Sequence, residues 1–438
     1  MNEVRDDPAL VERALLVGIE RQGQGQNDTV SMLAELVELV ETLTIKIVET
    51  TWIKLRQPQA AYLLGEGQAN DIVALAKANE CDVIVFDDEL TPGQQRNWER
   101  LAGCLVIDRQ EVIIDIFARR AQTREAKLQV ELARMEYNLP RLKRAWTHLS
   151  RQRGGGVTQR GEGETQLELD QRFVRNRIAK LKVELSEVIR HRKVQRNKRT
   201  RIPLPTAAII GYTNAGKSSI LNHLTRSSVL EEDKLFATLD PTSRRLKLPC
   251  GQTLILTDTV GFVRKLPHRL VEAFKATLEE AVVADWLIHV VDISQPEIDV
   301  HIETTLSVID ELGASANPRL LVFNKLDLLP AGSELPTQLA SRFPDAVFSS
   351  TKAPGGMDAL IARLDQLASE KHNPTELLIP YDRFELVNQL HAAGAITRKK
   401  ALPEGLYISG NIPDRLTGAT NPFVIAADSG IHTQLDPS

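Results

Sequence analysis

The chain has 438 residues, 42% hydrophobic and 26% charged, with three cysteines and a formal net charge of −4 at pH 7. That length exceeds one ordinary core and implies about three domains of a soluble globular protein. No apolar run reaches the roughly 18 residues of a membrane span, and the N-terminus has no basic region leading into a signal-like apolar core. Cys81, Cys104 and Cys250 are scattered singles. Their spacing fits neither a metal site nor a disulfide framework, and they are expected to be buried thiols in a reducing cytoplasm. The charge is uneven. Between Arg119 and Arg201 stand 23 Lys and Arg against 9 Asp and Glu, a balance of +14 that leaves −18 elsewhere. A basic middle in an acidic chain points to a polyanionic partner.

In chain order, "ALLVGI", "IKIVETTW", "AAYLL", "DVIVF" and "CLVID" read as strands, and "SMLAELVELVETL" and "ANDIVALAKANE" as helices. Residues 1–118 are thus expected to form an α/β domain with a largely parallel sheet. The period then changes. Leu128, Leu132, Met135, Leu139, Leu142 and Leu149 make a 4-3 apolar seam, and Val174, Ile178, Leu181, Leu185 and Val188 make another. The two seams predict a long antiparallel helical hairpin over 119–201. Pro140 kinks its first helix, and its tip is "RQRGGGVTQRGEGETQ". Helices that carry a Gly-Arg tip are suited to probing RNA. Residues 202–372 alternate again through "TAAIIG", "RRLKLP", "TLILTDT", "WLIHVVD", "RLLVFN" and "AVFSS", the pattern of a six-stranded doubly wound domain. "KHNPTE" reads as a linker. Residues 373–438 predict a small α+β domain with a helix at "YDRFELVNQLHAAG" and strands near "LYISGNI" and "PFVIAA".

The third domain carries the chemistry. Gly211, Tyr212, Thr213, Asn214, Ala215, Gly216, Lys217, Ser218 and Ser219 follow a strand and open a helix. G-x4-G-K-S in that context is a phosphate loop, whose backbone amides wrap the phosphates. Lys217 reaches the β- and γ-phosphates, and the Ser218 hydroxyl binds Mg²⁺. After the next strands, Asp258, Thr259, Val260 and Gly261 supply a carboxylate to the Mg²⁺ shell and a backbone amide to the γ-phosphate. Asn324, Lys325, Leu326 and Asp327 read the base. A carboxylate only accepts hydrogen bonds, and guanine offers it two donors where adenine lacks the N2 amino group. Ser350, Thr351 and Lys352 stand where a loop backing the guanine belongs. Phe236, Ala237, Thr238, Leu239 and Asp240 lie in an irregular stretch whose Thr238 is 21 residues beyond Lys217. There a mobile loop brings a threonine to Mg²⁺ in the triphosphate state, with Thr242 as the alternative to Thr238. Lys217, Thr238 and Gly261 are therefore the catalytic candidates of a GTPase. Phe262 occupies the position where many GTPases carry a water-orienting glutamine, so intrinsic hydrolysis is expected to be slow. Asn214 either gives one ligand to a monovalent cation such as K⁺ or stabilises the loop turn.

Taken together these residues resemble the HflX family of translational GTPases. The likeness runs through "YLLGEGQANDI", "DVIVFDDELTPGQQRNWE", "QVELARMEYNLPRL", "GGGVTQRGEGETQLELDQR", "GYTNAGKSS", "LFATLDPT", "DTVGF" and "NKLD". It departs at Glu162, where the family has proline, and at Ser350-Thr351-Lys352, where Ser-Ala-Lys is usual. The resemblance implies binding to the large ribosomal subunit and splitting of stalled ribosomes; the chain is expected to be a cytoplasmic monomer that binds GTP and GDP. The tip would lie near the peptidyl-transferase region. The alternative is a GTP-dependent rRNA-binding or assembly factor without splitting activity.

Overall fold

The computed structural model describes residues 11–144 except 24, together with 166–199, 204–225, 235–266, 278–370 except 279, 372–392 and 395–425. The chain sorts into two units, one of residues 1–189, 232–240 and 263–276, the other of residues 190–231, 241–262 and 277–438.

The first unit is built on β1 (Arg13–Glu20), buried at every position but its first. Such a continuous apolar run needs cover on both faces, which a parallel sheet provides. β1 pairs in parallel with β2 (Lys46–Lys54) and with β3 (Val83–Phe86), and β4 (Leu105–Asp108) completes the order β2-β1-β3-β4. The linking helices are α1 (Gln26–Thr42), α2 (Glu66–Ala78), α3 (Pro92–Ala102) and α4 (Arg109–Arg120). Trp98 of α3 is fully buried against Phe86 and donates its indole N–H to the Tyr62 carbonyl at 2.9 Å. The segment "AAYLL" is not a sheet strand. Leu63 has φ +67°, and the segment only closes a turn through the bridges Gln59–Leu63 and Tyr62–Leu64.

The hairpin helices follow, and the last residues of the second, from 190 on, are grouped with the second unit. α5 (Arg124–Asn138) starts on Thr123, whose hydroxyl accepts from the Ala126 N–H, a side-chain cap of the first turn. Pro140 falls where the α-helix gives way to a 3₁₀ turn, Leu139–Arg144. α6 spans Gln166–Arg199. The two seams do meet: Leu128, Leu132 and Leu181 form one apolar cluster with Met135, Ile178, Leu185 and Val188. Leu149, the tip glycines and Glu162 lie outside the described residues.

The second unit holds a six-stranded sheet of order β10-β9-β8-β5-β7-β6. Its members are β5 (Thr206–Gly211), β6 (Thr242–Lys247), β7 (Thr253–Asp258), β8 (Trp286–Asp292), β9 (Arg319–Asn324) and β10 (Val347–Phe348). All pairs are parallel except β6 with β7. α7 (Lys217–Thr225), α8 (Ile298–Glu311), α9 (Leu335–Arg342) and α10 (Asp358–Glu370) are its helices. The C-terminal part is an antiparallel sheet of β11 (His372–Ile379), β12 (Arg398–Leu402) and β13 (Gly405–Pro413), with β13 central. α11 (Phe384–Ala392) and α12 (Asp414–Thr420) pack with it around Leu377, Leu390 and Ile408. "KHNPTE" is thus mostly strand rather than linker. Within "PFVIAA" the described residues give a 3₁₀ turn, Asn421–Phe423, and one bridge from Val424 to Leu377, rather than a strand. Cys81 and Cys104 are half-buried and Cys250 is exposed, contrary to the expectation of buried thiols. Among the described residues no helix is long and apolar enough to cross a membrane.

Candidate functional site

β5 ends at Gly211, and the chain turns through Tyr212–Gly216 into α7. Asn214 sits in the left-handed region at φ +57° and Gly216 at +91°. A side chain at Gly216 would run into the Asn324 amide, 2.3 Å from where its Cβ would lie, so only glycine fits there. The loop is tied from both sides. Asn324 Nδ2 donates to the Ala215 carbonyl at 3.0 Å, and Phe262 exchanges backbone bonds with Gly211 (3.1 Å) and Thr213 (2.8 Å).

Lys217, the first residue of α7, is buried and donates its ammonium to the Tyr212 carbonyl at 2.7 Å. Burial lowers its pKa to about 8, Asp258 opposes that shift and Lys325 adds to it. A charged donor held in this loop is matched to an anionic phosphate chain. Ser218 Oγ donates to Asp258 Oδ2 at 2.6 Å, and Asp258 closes β7 fully buried. A hydroxyl and a carboxylate in contact beside a phosphate loop are a fitting donor set for Mg²⁺, which prefers oxygen ligands and phosphate. Thr259 hydroxyl is committed to the Ile209 carbonyl, and Ser219 lies in the first turn of α7. Gly261 abuts the loop: a Cβ there would lie 2.7 Å from Thr213 Cγ2 and 2.9 Å from Lys217 Nζ. The Phe262 ring is fully buried.

The loops after β9 and β10 come together next. β9 delivers Asn324, whose Oδ1 accepts from Ser349 Oγ at 3.1 Å. Ser350 Oγ donates to Asp327 Oδ1 at 2.5 Å and itself accepts from the Lys352 and Ala353 amides. That geometry makes Ser350, Thr351 and Lys352 the loop paired with Asp327, which is exposed beside Leu326. Lys325 has φ +65° and forms an ion pair with Asp292 at 2.9 Å. Asp292 is a site support that motif reading missed, although it was visible as the acidic end of "WLIHVVD". Also missed was the stack of the Tyr212 ring on His301 of α8, centroids 3.9 Å apart.

The remaining candidates pack within the first unit. Phe236 is buried at φ +56° with its ring edge-on to Phe117 at 4.6 Å. Asp240 accepts from the amides of Gln122 and Thr123 at 3.0 and 3.1 Å and from the Thr123 hydroxyl. Ala237, Thr238 and Leu239 lie between these anchors. Arg264 and Lys265 are held likewise: Arg264 Nε donates to Glu35 at 2.9 Å and Lys265 to Asp87 at 2.8 Å. Arg109, itself buried, pairs with the same two acids. Ser218 and Asp258 thus belong to the second unit, and Thr238, the other Mg²⁺ candidate, to the first.

Comparison with known proteins adds three family models, two relatives and one solved structure. Models described as GTP-binding GTPase N-terminal, GTP-binding GTPase middle region and 50S ribosome-binding GTPase fit residues 30–118, 120–199 and 206–325. The chain is 48% identical over 423 residues to a GTPase HflX of Akkermansia muciniphila, covering 94% of this chain and 97% of that protein. It is 40% identical over 388 residues to a GTPase HflX of Escherichia coli K12, covering 89% and 90%. Among solved structures, a GTP-binding protein of Sulfolobus solfataricus in complex with GDP is similar at 27% identity and a TM-score of 0.43, covering 82% of this chain and 99% of that one.

Proposed function

Because this chain belongs to the GTPase HflX family and hydrolyses GTP to GDP and phosphate, we propose that it uses that cycle on the large ribosomal subunit to split stalled ribosomes. The observation that carries this reading is the hairpin of α5 and α6, whose stretch of chain holds 23 basic against 9 acidic residues. Such a density of charge binds rRNA phosphates without reading sequence. The description of the matched G-domain model as a 50S ribosome-binding GTPase supports it. The protein works in the cytoplasm as a monomer.

In this reading Lys217 holds the β- and γ-phosphates, the Gly261 amide meets the γ-phosphate, and Asp327, braced by Ser350, selects guanine. Ser218 and Thr238 hydroxyls hold Mg²⁺, with Asp258 behind Ser218. When bound, Mg²⁺ neutralises charge on the β- and γ-phosphates. The strained Asn214 gives a ligand to K⁺, so hydrolysis should run faster in potassium than in sodium buffer at equal ionic strength. Equal rates would return Asn214 to a purely structural role.

The test of the whole is gradient sedimentation of stalled ribosomes with the protein and a non-hydrolysable GTP analogue. Separated subunits with the protein on the large one are expected. Intact ribosomes with the protein bound would instead support an rRNA-binding or assembly factor, and no binding would reject both.

A further inference from the structure

The unexplained group at this site is the hydroxyl of Thr213. The residue is only 6% exposed, and its Oγ1 is buried without a hydrogen-bond partner. A buried polar atom left unpaired is unfavourable, and each one in a native fold calls for a reason. Its surroundings supply one. The Thr213 methyl and Cα stand 2.7 and 2.8 Å from where a Cβ on Gly261 would lie, and Lys217 Nζ stands 2.9 Å from the same point. Thr213 therefore shares its space with the two groups assigned above to the γ-phosphate. The Thr213 amide is already committed to the Phe262 carbonyl, and the Phe262 ring is fully buried. That ring has no polar group to orient water, whereas Thr213, whose methyl borders Gly261, carries a buried hydroxyl without a partner.

We propose that the Thr213 hydroxyl is the catalytic side chain that hydrogen-bonds the γ-phosphoryl group and the attacking water of GTP, taking the part that Phe262 cannot. The inference rests on the assignment of Lys217 and Gly261 to the γ-phosphate. In the reaction the water oxygen bonds to the γ-phosphorus, and the bond to the β–γ bridging oxygen breaks with its electron pair leaving on GDP. The proton of the water ends on the released phosphate. The Thr213 hydroxyl is neutral throughout; it accepts from the water and donates to a γ-oxygen, so it fixes direction without transferring charge.

The experiment compares Thr213→Val, which keeps the shape, with Thr213→Ser, which keeps the hydroxyl. Single-turnover GTP hydrolysis and GDP affinity are measured on the full chain. Loss of one positioned hydrogen-bonding group lowers such rates by about 10²-fold. Thr213→Val should therefore fall by about that factor, with GDP affinity within about threefold of the parent because GDP lacks the γ-phosphate. Thr213→Ser should recover most of the rate. A Val variant as fast as the parent, a Val variant that loses GDP affinity in proportion to rate, or a Ser variant as slow as Val would each overturn the proposal. Lys217→Ala serves as the reference: should it hydrolyse GTP normally, the phosphate-loop assignment itself fails, whereas an inert Lys217→Ala beside a fully active Thr213→Val refutes only the role of Thr213.

Discussion

The chemistry of the site depends on single residues placed in unusual surroundings. Lys217 is held in a buried loop that depresses its pKa to about 8. Phosphate binding needs the charged form, so affinity should be flat below that pH and fall above it. The expected loss is about tenfold per pH unit between roughly 8.5 and 10, read by GDP titration. Affinity unchanged up to pH 10 would mean that Lys217 does not face the phosphates. Asp327 carries the second residue-scale prediction. Replacing its carboxylate by an amide, Asp327→Asn, would remove the acceptor proposed for the guanine N2 amino group. GTP binding should weaken by roughly 10²-fold and XTP binding should improve, since xanthine has a carbonyl there. Unaltered preference for GTP in a competition assay would remove Asp327 from the base site. Both residues were legible in the sequence because the motifs that hold them are local. The supports were not. Asp292 meets Lys325 only because β8 and β9 are neighbours, and the burial of Thr213 is created by Gly261 and Phe262, far along the chain.

Elements were legible where one period ran long enough, and were misread where tertiary context decided. The hairpin seams announced α5 and α6, and their leucines do meet. "KHNPTE" looked like a linker because of Asn373 and Pro374. Yet β11 is an edge strand, where a residue without an N–H is tolerated. The root of the hairpin is a buried polar joint. Asp108, at the end of β4, accepts from the amides of Leu90 and Glu111 and from the Tyr137 hydroxyl of α5, and Arg141 stands 3.5 Å away. Burial, with Glu111 adding, raises the Asp108 pKa to about 6, against which Arg141 and the amides act. The folded pKa lies above the unfolded one, so its contribution to stability is full below about pH 4 and is lost as pH rises through 6. The cost of Asp108→Asn to unfolding free energy should therefore be larger at pH 4.5 than at pH 7.5, by about 2 kcal/mol. A cost independent of pH in denaturant titrations would show that Asp108 is not the titrating group of the joint.

At the scale of the whole molecule, sequence order and spatial grouping disagree. The segments that carry Phe236–Asp240 and Arg264–Lys265 are written inside the nucleotide-binding stretch of the chain. They nonetheless pack with residues 1–189. No motif signals this, because the partners Phe117, Thr123, Glu35 and Asp87 are spread over the N-terminal third. The consequence concerns excision. A gene fragment encoding residues 202–438 contains every nucleotide motif and would look like a free-standing module. It would nonetheless leave Phe236 and Leu239, both buried in the full chain, without their apolar surroundings, and Arg264 and Lys265 without their acids. Limited proteolysis should cut that fragment rapidly near 235–240 and 263–266 while sparing the same positions in the full chain. The P-loop core, built wholly inside the second unit, should stay intact and still bind GDP. Equal cleavage of both proteins would mean that these anchors contribute little. If they do contribute, the boundaries of the GTPase as a transplantable part cannot be drawn by cutting the chain once.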